Sequence, residues 1–261
     1  MFDYHMHSWV SFDSKEDPKA IIRKAKQMGL KEICFTDHLD YDPAPGAEDF
    51  TFNTDFYNEN YETLSAEGLK IRKGFEFGML PDNQVTMKKD LERRHFDFVI
   101  GSVHFAGGVD VYYPKYWEGK TYQEAELYSY EEMLRCVKAH DDFDVLGHLT
   151  YIGKVINNPG MRAIAYKEYR ELVDEIFRVL IGKGKGIEVN TSGVDRCGAF
   201  LPDKEYLLRF KELGGEIVTV GSDAHTADRI GQYCHEACNL VCDIFGHVCT
   251  FENRKPIFHK L

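Results

Sequence analysis

The residues most able to do chemistry are histidines placed close to one another or to an acidic residue. His5 and His7 are one residue apart, so in an extended segment their imidazoles lie on the same side and can reach one ion. Asp223 and His225 have the same spacing within Gly221–His225 (GSDAH). Imidazole and carboxylate groups are common ligands of divalent transition metals. These two motifs therefore predict metal binding.

Other histidines and acidic residues share one position, just beyond the end of a predicted strand. With the two motifs they form a set of six imidazoles and two carboxylates: His5, His7, His38, Glu76, His104, His148, Asp223 and His225. A lone histidine is more often a hydrogen-bonded structural residue, but donors at equivalent positions of successive strands are not independent. One tetrahedral zinc needs about four ligands. The surplus predicts two or three ions that share a bridging carboxylate.

The elements that must position these donors are short apolar strands that alternate with longer amphipathic helices. The predicted strands are Phe2–Tyr4, Lys31–Phe35, Leu69–Phe75, Phe96–Ile100, Phe143–Leu146, Gly186–Val189 and Glu216–Val220, with a last apolar stretch at His247–Phe251. The predicted helices are Lys19–Met28, Asn53–Ala66, Gln84–Arg93, Tyr122–Ala139, Arg162–Ile181 and Lys204–Leu213, with another within Arg229–Phe245. Parallel strands need such crossover connections. About seven units favour a single-domain α/β barrel over an open doubly wound sheet.

A parallel barrel would explain why donors so far apart in the sequence belong together. All of its strands point their carboxyl ends to the same mouth, where the loops that follow them form the active site. Side chains that range from His5 to His225 are therefore expected to meet at that mouth. The strand pattern and the donor positions thus predict one metal centre at one end of the fold.

Composition excludes several other classes of protein. The chain has 261 residues, of which 43% are hydrophobic and 29% charged, which suits one globular domain with a substantial core. Lys and Arg number 32 and Asp and Glu 43, which gives a formal net charge of −11. No nucleic-acid partner is expected, because nucleic-acid binding depends on basic side chains. No membrane association is expected either, since no stretch approaches the ~20 uncharged apolar residues of a membrane span.

Cysteine usage and the first residues indicate a cytoplasmic protein. The seven cysteines are an odd number, are scattered and form no CxxC pair, which is typical of free thiols in a reducing compartment. The first ten residues, MFDYHMHSWV, lack the basic start and apolar run of a secretory signal. We therefore expect a cytoplasmic protein, and the sequence leaves its oligomeric state open.

Seven short motifs, taken in order, extend the donor set along the whole chain. They are His5-x-His7, Thr36-Asp37-His38, Gly74-Phe75-Glu76, Gly101-Ser102-Val103-His104, Gly147-His148, Glu188-Val189-Asn190 and Gly221-Ser222-Asp223-Ala224-His225. The set resembles the polymerase and histidinol phosphatase (PHP) family, and within it the monofunctional histidinol-phosphatases. The resemblance implies a distorted (β/α)7 TIM-like barrel, with residues 1–261 as one metal-dependent phosphoesterase domain. It also implies a centre of three divalent metal ions.

The resemblance further implies how the donors are divided among the three ions. The first ion would be held by His5, His7, Glu76 and Asp223. Glu76 would bridge to a second ion, which His104 and His148 would also hold. The third ion would be held by His38 and His225. Zinc, manganese and iron are all compatible with such donors, so the identity of the metal stays open.

Asp13 is a further candidate metal ligand. Many members of the family carry another histidine six residues after the second histidine of the HxH motif, and this chain has Asp13 there. A carboxylate also binds metals, and it favours a harder ion such as manganese or iron over zinc. The alternative is that Asp13 only forms a turn before the first helix.

A centre of this kind fits the hydrolysis of a phosphomonoester. Bound metals lower the pKa of water to about 7 and neutralise phosphoryl oxygens. The expected nucleophile is therefore a metal-bridging hydroxide, with Glu76 as the bridging ligand. Asp223 or His225 is expected to help protonate the leaving alkoxide. Arg196 after the sixth strand and Arg162 at the start of the long helix are candidate phosphate ligands, because guanidinium groups bind phosphate bidentately.

Structural alternatives stay open for these cations and for an aromatic insertion. Arg196 also suits a surface salt bridge and Arg162 a helix start, and Lys154 is a weaker third candidate for the phosphate. The insertion at about 105–122 contains six aromatic residues: Phe105, Tyr112, Tyr113, Tyr116, Trp117 and Tyr122. They could stack on an imidazole of the substrate or cover the site as a lid, or they could pack on the barrel rim.

Three functions are compatible with these features. The resemblance favours hydrolysis of L-histidinol phosphate to L-histidinol and phosphate, a step of histidine biosynthesis. The same centre could act on another phosphomonoester, such as a nucleotide, a sugar phosphate or phosphotyrosine, because it recognises phosphate first. The third function is a non-catalytic metal-binding module. Such modules usually lose ligands, whereas every position here keeps a competent donor.

Overall fold

The computed structural model describes residues 1–44, 49–93 and 95–260, and its main feature is a barrel of parallel strands. The strands are β1 (Phe2–Asp3), β2 (Glu32–Phe35), β3 (His38–Leu39), β4 (Lys70–Gly78), β5 (Phe98–Ser102), β6 (Phe105–Ala106), β7 (Val109–Asp110), β8 (Val145–Leu146), β9 (Gly186–Asn190), β10 (Val218–Gly221), β11 (Val248–Glu252) and β12 (Lys255–His259). β6 and β7 form one small hairpin and β11 and β12 another.

Seven strands run parallel around the barrel in the order β1, β2, β4, β5, β8, β9 and β10. The short β3 also pairs with β4, in parallel, beyond the end of β2. The first and last strands meet where Tyr4 N donates to Val220 O (2.9 Å) and where Met6 bridges Ala224. The predicted single-domain (β/α)7 barrel is confirmed, and its closure brings the ends of β1 and β10 together.

The helices lie between the strands as crossover connections. They are α1 (Pro18–Gln27), α2 (Thr54–Tyr61), α3 (Gln84–Arg93), α4 (Pro114–Trp117), α5 (Tyr122–Ala139), α6 (Arg170–Gly182), α7 (Val194–Cys197), α8 (Lys204–Glu212) and α9 (Cys234–Phe245). Local sequence explains several starts. Asp17 caps α1 by accepting from Lys19 N (2.8 Å), with Pro18 at the first helical position. Thr121 and Glu124 form a capping box at α5.

The prediction of a long helix at Arg162–Ile181 is wrong for its first eight residues. A short 3-10 turn spans Tyr166–Glu168, and α6 begins only at Arg170. Glu168 explains the difference, because its carboxylate accepts from Ala165 N (2.9 Å) and from the Arg162 guanidinium (2.7 Å). These bonds hold the segment in a loop that helical periodicity does not reveal.

The barrel strands are covered on both faces. Phe35, Phe75 and Phe98 are fully buried on successive strands, and α1 packs Ile21 and Ala25 against the barrel with no exposure. Continuous burial of this kind is typical of parallel sheets covered by helices. The seven cysteines are all free thiols, as predicted. Among the residues described, no helix has the length and apolar character needed to cross a membrane.

Candidate metal centre

The carboxyl ends of the barrel strands bring the nine predicted metal ligands to one mouth. His5 and His7 follow β1, Asp13 lies in the loop after them, His38 begins β3, Glu76 lies within β4, His104 follows β5, His148 follows β8, and Asp223 and His225 follow β10. Their donor atoms form overlapping groups in which the atoms lie within 4.8 Å of one another. The groups are His7, Asp13, His38 and His225; His5, Glu76 and His148; His5, His7 and Asp223; and His38, Asp40 and His104.

Glu76 lies at the centre of these groups and is 1% exposed. Its Oε1 accepts a hydrogen bond from Ser102 Oγ (2.6 Å) and lies 2.8 Å from His148 Nε2. Its Oε2 lies 3.0 Å from His38 Nδ1 and 3.2 Å from His5 Nε2. Although burial opposes ionisation, the imidazoles of His5 and His38 hold the pKa of Glu76 well below its usual range. One ionised carboxylate therefore faces imidazoles from three different strands.

Asp13 lies in the more exposed part of the cluster. Its Oδ2 is 2.9 Å from His225 Nε2 and 3.6 Å from His38 Nε2. Although burial opposes ionisation, hydrogen bonds with these two imidazoles lower the pKa of Asp13. The ring of His7 stacks on those of His38 and His225, with centroid separations of 4.2 and 4.1 Å. Burial and these two imidazoles lower the pKa of His7 to about 3, which leaves it neutral, as a metal ligand must be.

Asp223 connects the inner and outer parts of the cluster. Its Oδ1 lies 3.4 Å from His7 Nε2 and 3.6 Å from His5 Nε2, and its Oδ2 accepts from Lys154 Nζ (3.0 Å). Although burial opposes ionisation, Lys154 and His5 hold the pKa of Asp223 well below its usual range. Its backbone has φ of 55°, a left-handed conformation that Asp tolerates better than most residues.

Asp40 is absent from the predicted ligand set, yet it contacts two of its imidazoles. Its two carboxylate oxygens lie 3.1 and 3.2 Å from His104 Nδ1, and Oδ2 also lies 3.2 Å from His38 Nδ1. Gly78 permits this arrangement, because a Cβ there would lie 1.8 Å from Asp40 Oδ1. The sequence signal for Asp40 is its position two residues after His38, on the same side of an extended segment.

Ser11 and Glu188 lie outside the cluster and contact two of its imidazoles. The sequence alone assigns neither residue a role. Ser11 Oγ lies 3.0 Å from His7 Nδ1 and donates to Asp37 Oδ1 (2.9 Å). Glu188 Oε1 lies 2.7 Å from His5 Nδ1. Contacts of this kind at one ring nitrogen orient the other nitrogen toward a metal.

The donor set fits divalent transition metals. Four buried atoms at the centre of the cluster, His5 Nε2, His7 Nε2, His38 Nδ1 and Glu76 Oε2, form no hydrogen bond of regular geometry, although imidazole nitrogens and carboxylate oxygens lie 3.0–3.6 Å apart there. Buried polar atoms are normally paired, so the concentration of four such atoms in one place favours a bound ligand. Their chemistry, imidazole nitrogen with carboxylate oxygen, is that of zinc, manganese and iron sites. The cluster is therefore a candidate metal centre.

A cavity of about 660 Å³ opens over the cluster. Its walls combine aromatic side chains with three cations. The aromatic residues that line it include Phe12, Phe50, Phe105, Tyr112, Tyr113 and Tyr151, and the cations are Lys154, Arg196 and Arg229. A cavity of this size accommodates a small molecule. The arrangement suits an anionic group bound over the metal centre.

The structure separates the two arginines that the sequence proposes for a phosphate. Arg196 lines the cavity and has no ion-pair partner among the residues described. Arg162 lies outside the cavity lining, where its guanidinium binds Glu168 (2.7 Å) and the buried Glu126 (3.0 Å). It therefore ties the loop before α6 to α5. Arg229, which the sequence does not single out, lines the cavity and pairs with Asp195 (2.9 Å).

The aromatic insertion packs against the fold at one pair of residues and lines the cavity with another. Tyr116 and Trp117 on α4 are buried, and their polar atoms donate to Ala125 O (2.6 Å) and Val111 O (2.9 Å), so they pack the insertion onto the barrel. Tyr112 and Tyr113 are instead each 48% exposed and line the cavity. The insertion is therefore anchored by one aromatic pair and presents another to the cavity.

Comparison with known proteins agrees with this geometry. The PHP domain family model matches residues 3–192. A histidinol-phosphatase from Lactococcus lactis is 34% identical over 97% of this chain and 95% of its own length. A probable histidinol-phosphatase from Clostridium acetobutylicum is 31% identical over 100% of this chain and 97% of its own.

A solved structure shares the fold. The crystal structure of histidinol phosphate phosphatase (HISK) from Lactococcus lactis, in complex with zinc, L-histidinol and phosphate, superimposes with a TM-score of 0.86. The two chains are 32% identical, and the similarity covers 98% of each. The resemblance carried by the donor motifs is thus confirmed over the full length. The chain belongs to the PHP domain family.

Proposed function

We propose that this protein hydrolyses L-histidinol phosphate to L-histidinol and phosphate, as a metal-dependent phosphomonoesterase of histidine biosynthesis. The observation that carries the proposal is the cluster of imidazoles and carboxylates with unpaired buried atoms beneath a cavity that three cations line. The full-length similarity to the Lactococcus histidinol-phosphatase supports this choice of substrate. The formal net charge of −11 argues for a small phosphomonoester rather than a nucleic acid.

The proposal includes three divalent ions of zinc, manganese or iron. The first would be held by His5, His7, Glu76 and Asp223, the second by Glu76, His104 and His148, and the third by His38, His225 and Asp13, a division compatible with the contacts of 2.8–3.6 Å within each set. The short distance between Asp13 and His225 supports Asp13 as a ligand. When bound, such ions neutralise phosphoryl oxygens and make water a nucleophile at neutral pH.

The protein's own carboxylates supply the rest of the site. Glu76, ionised and in contact with imidazoles of three strands, keeps the centre compact. Asp223 lines the cavity in its ionised form, so it can take a proton from the attacking water and return it to the leaving alkoxide. His225 lines the same cavity and is the alternative proton donor to the alkoxide. Its Nδ1 donates to Asp223 O (3.0 Å), and its Nε2 lies 2.9 Å from Asp13.

Arg196 and Lys154 would bind the phosphate group of the substrate. Both line the cavity, and Lys154 reaches the cluster through Asp223. Arg196 has its guanidinium free of ion pairs among the residues described, so it can form the bidentate contact that phosphate favours. Tyr112 and Tyr113 lie on the same cavity and offer aromatic faces to the imidazole of the substrate. On this proposal residues 1–261 form one phosphoesterase domain, because Asp223 and His225 lie beyond the matched residues 3–192.

A panel of phosphomonoesters tests the proposed function. The purified protein, loaded in turn with zinc, manganese and iron, is assayed on histidinol phosphate, nucleotides, sugar phosphates and phosphotyrosine. We expect kcat/KM to be highest for histidinol phosphate with at least one metal. Rapid turnover of another ester beside slow turnover of histidinol phosphate would overturn the substrate. No turnover of any ester by the metal-loaded protein would favour a non-catalytic module.

A further inference from the structure

Glu188 is a fully enclosed carboxylate directly outside the candidate metal centre. It lies on β9 and is 1% exposed. Its Oε1 lies 2.7 Å from His5 Nδ1, and its Oε2 accepts from His148 N (2.9 Å) and Asn190 Nδ2 (3.2 Å). A Cβ at position 221 would lie 2.5 Å from Oε1, so Gly221 leaves the space that the carboxylate occupies. Glu188 thus contacts two members of the cluster from two other strands.

The carboxylate of Glu188 determines which ring nitrogen of His5 carries a proton. An ionised carboxylate only accepts hydrogen bonds, so His5 must carry its proton on Nδ1, facing Glu188. In the neutral, metal-binding form of His5 the other nitrogen, Nε2, carries no proton and faces the centre, 3.2 Å from Glu76 Oε2. We propose that Glu188 is a positioning residue that selects the metal-binding tautomer of His5 and fixes the backbone of His148. The inference rests on the proposed function, since it concerns the metal centre that this function requires.

The variant Glu188→Gln would reverse the proton position on His5. The backbone N–H of His148 and the amide of Asn190 are both donors directed at Oε2. The Asn190 amide cannot turn over, because its oxygen accepts from Ser192 N (3.0 Å). The glutamine oxygen must therefore take the Oε2 position, which leaves the NH2 group facing His5 Nδ1. His5 would then accept at Nδ1 and carry its proton on Nε2, where that proton blocks metal binding.

The variant Glu188→Ala separates this role from packing. Alanine imposes no tautomer on His5, but it leaves the donors of His148 and Asn190 without their acceptor and opens a cavity. A residue that only packs the site would lose more on truncation to alanine than on replacement by the isosteric glutamine. If Glu188 selects a tautomer, the glutamine variant should lose more zinc affinity than the alanine variant, while the alanine variant should still lose more stability.

The experiment compares the order of two properties in the full-length protein. Zinc affinity is measured by competition with a chromophoric chelator, and Tm is measured on the same samples. We expect Zn²⁺ affinity to fall about 10–100-fold in Glu188→Gln and by a smaller factor in Glu188→Ala. Tm should instead fall more in Glu188→Ala than in Glu188→Gln. In the zinc-loaded protein with ¹⁵N-labelled histidine, one Nδ1–H signal of a metal-bound imidazole should be lost in Glu188→Gln. The same order in both properties, or unchanged zinc affinity in Glu188→Gln, would overturn the inference.

A matched control is Asp144→Asn, which changes another buried carboxylate to its amide. Asp144 accepts from Val99 N (2.8 Å) and Arg254 Nε (2.5 Å) before the start of β8, away from the cluster. We expect a lower Tm and unchanged zinc affinity in this variant. A wild-type protein that binds no zinc and hydrolyses no ester would refute the proposed function. A wild-type protein that does both, with glutamine less harmful to zinc affinity than alanine, would refute only the role of Glu188.

Discussion

Both ends of the barrel contain buried charged residues, but the two ends differ in how those charges are paired. At the amino ends of the strands, Glu32 accepts from Tyr4 Oη (2.6 Å) and Arg72 Nε (2.8 Å). Asp144 accepts from Arg254 Nε (2.5 Å) and from a backbone N–H. Each of these carboxylates has a fixed cationic partner in the protein. This end therefore stabilises the fold and has no need of a ligand.

At the carboxyl ends of the strands, carboxylates and imidazoles crowd together, and Lys154 pairs with Asp223 (3.0 Å). His5 Nε2, His7 Nε2, His38 Nδ1 and Glu76 Oε2 are buried beside one another without hydrogen bonds of regular geometry. Leaving a buried polar atom unpaired costs about 1–3 kcal/mol, so this arrangement lowers the stability of the protein alone. The difference indicates that one end of the barrel is built for stability and the other for a bound cation. The same division is typical of barrels whose active sites lie at the carboxyl ends of the strands.

Removal of metal should have the largest effect, and only at the carboxyl end. We expect a strong chelator to abolish phosphatase activity and to lower Tm, because ions that bind only the folded state stabilise it by about 4 kcal/mol at 1,000 times their Kd. Far-UV circular dichroism should still show a folded barrel. Activity should return when zinc, manganese or iron is added back. Activity that survives complete metal removal would contradict the assignment of the cluster.

Glu76→Gln should nearly abolish turnover. The neutral amide lacks the negative charge that the carboxylate presents to His5, His38 and His148, and it weakens the proposed bridge between two ions. A loss of several kcal/mol of metal-dependent stabilisation corresponds to a fall in kcat of about 10³-fold. Steady-state kinetics, together with metal analysis of the same sample, provides the measurement. Near-normal kcat with all metal retained would show that Glu76 is not a bridge.

The same substitution at the other end of the barrel, Glu32→Gln, should lower stability and leave turnover unchanged. Glu32 is 2% exposed and pairs with Arg72, so loss of its charge should lower the free energy of unfolding by about 2 kcal/mol. Denaturant unfolding measures this change. Because Glu32 has no contact with the cluster, kcat and KM should match the wild type. A large fall in kcat would mean that the two ends are not independent.

Much of this division could be predicted from the sequence, because it follows local rules. Strand and helix periodicity predicts the seven-stranded barrel, and the predicted helices Gln84–Arg93 and Tyr122–Ala139 have the bounds that the structure shows. Eight of the nine donor residues come together because they lie at or near the carboxyl end of a barrel strand, and parallel strands share a mouth, whereas Asp13 reaches it from the loop after β1. Position along the chain is sufficient for these inferences.

The remainder depends on contacts between residues far apart in the sequence. Glu188 meets His5 across 183 positions and Asp40 meets His104 across 64. A local pattern can mark each of these residues, but it cannot show which residues pair. The long helix begins later than predicted, because the side chains of Arg162 and Glu168 hold the preceding segment in a loop. Arg162 has the right chemistry for a phosphate, but its partner Glu126 lies on α5. Residue type alone cannot distinguish that ion pair from a binding site.

Arg196→Ala should weaken substrate binding without affecting the fold. Arg196 is exposed on the cavity wall and makes no ion pair among the residues described, so its loss should leave Tm unchanged. We expect KM for histidinol phosphate to rise roughly tenfold, equivalent to about 1.4 kcal/mol, with a smaller effect on kcat. Inorganic phosphate should also become a weaker inhibitor. Unchanged KM and unchanged phosphate inhibition would remove Arg196 from the proposed site.

Arg162→Ala should show the reverse pattern and the smallest effect. The substitution leaves the buried Glu126 with Tyr169 Oη (2.8 Å) as its remaining partner for Oε2 and releases Glu168 from the loop before α6. Because Arg162 is partly exposed, we expect the free energy of unfolding to fall by only about 1 kcal/mol. KM and phosphate inhibition should remain at their wild-type values, measured beside Arg196→Ala in the same assay. A rise in KM equal to that of Arg196→Ala would restore Arg162 to the phosphate site and would show that the loop moves when substrate binds.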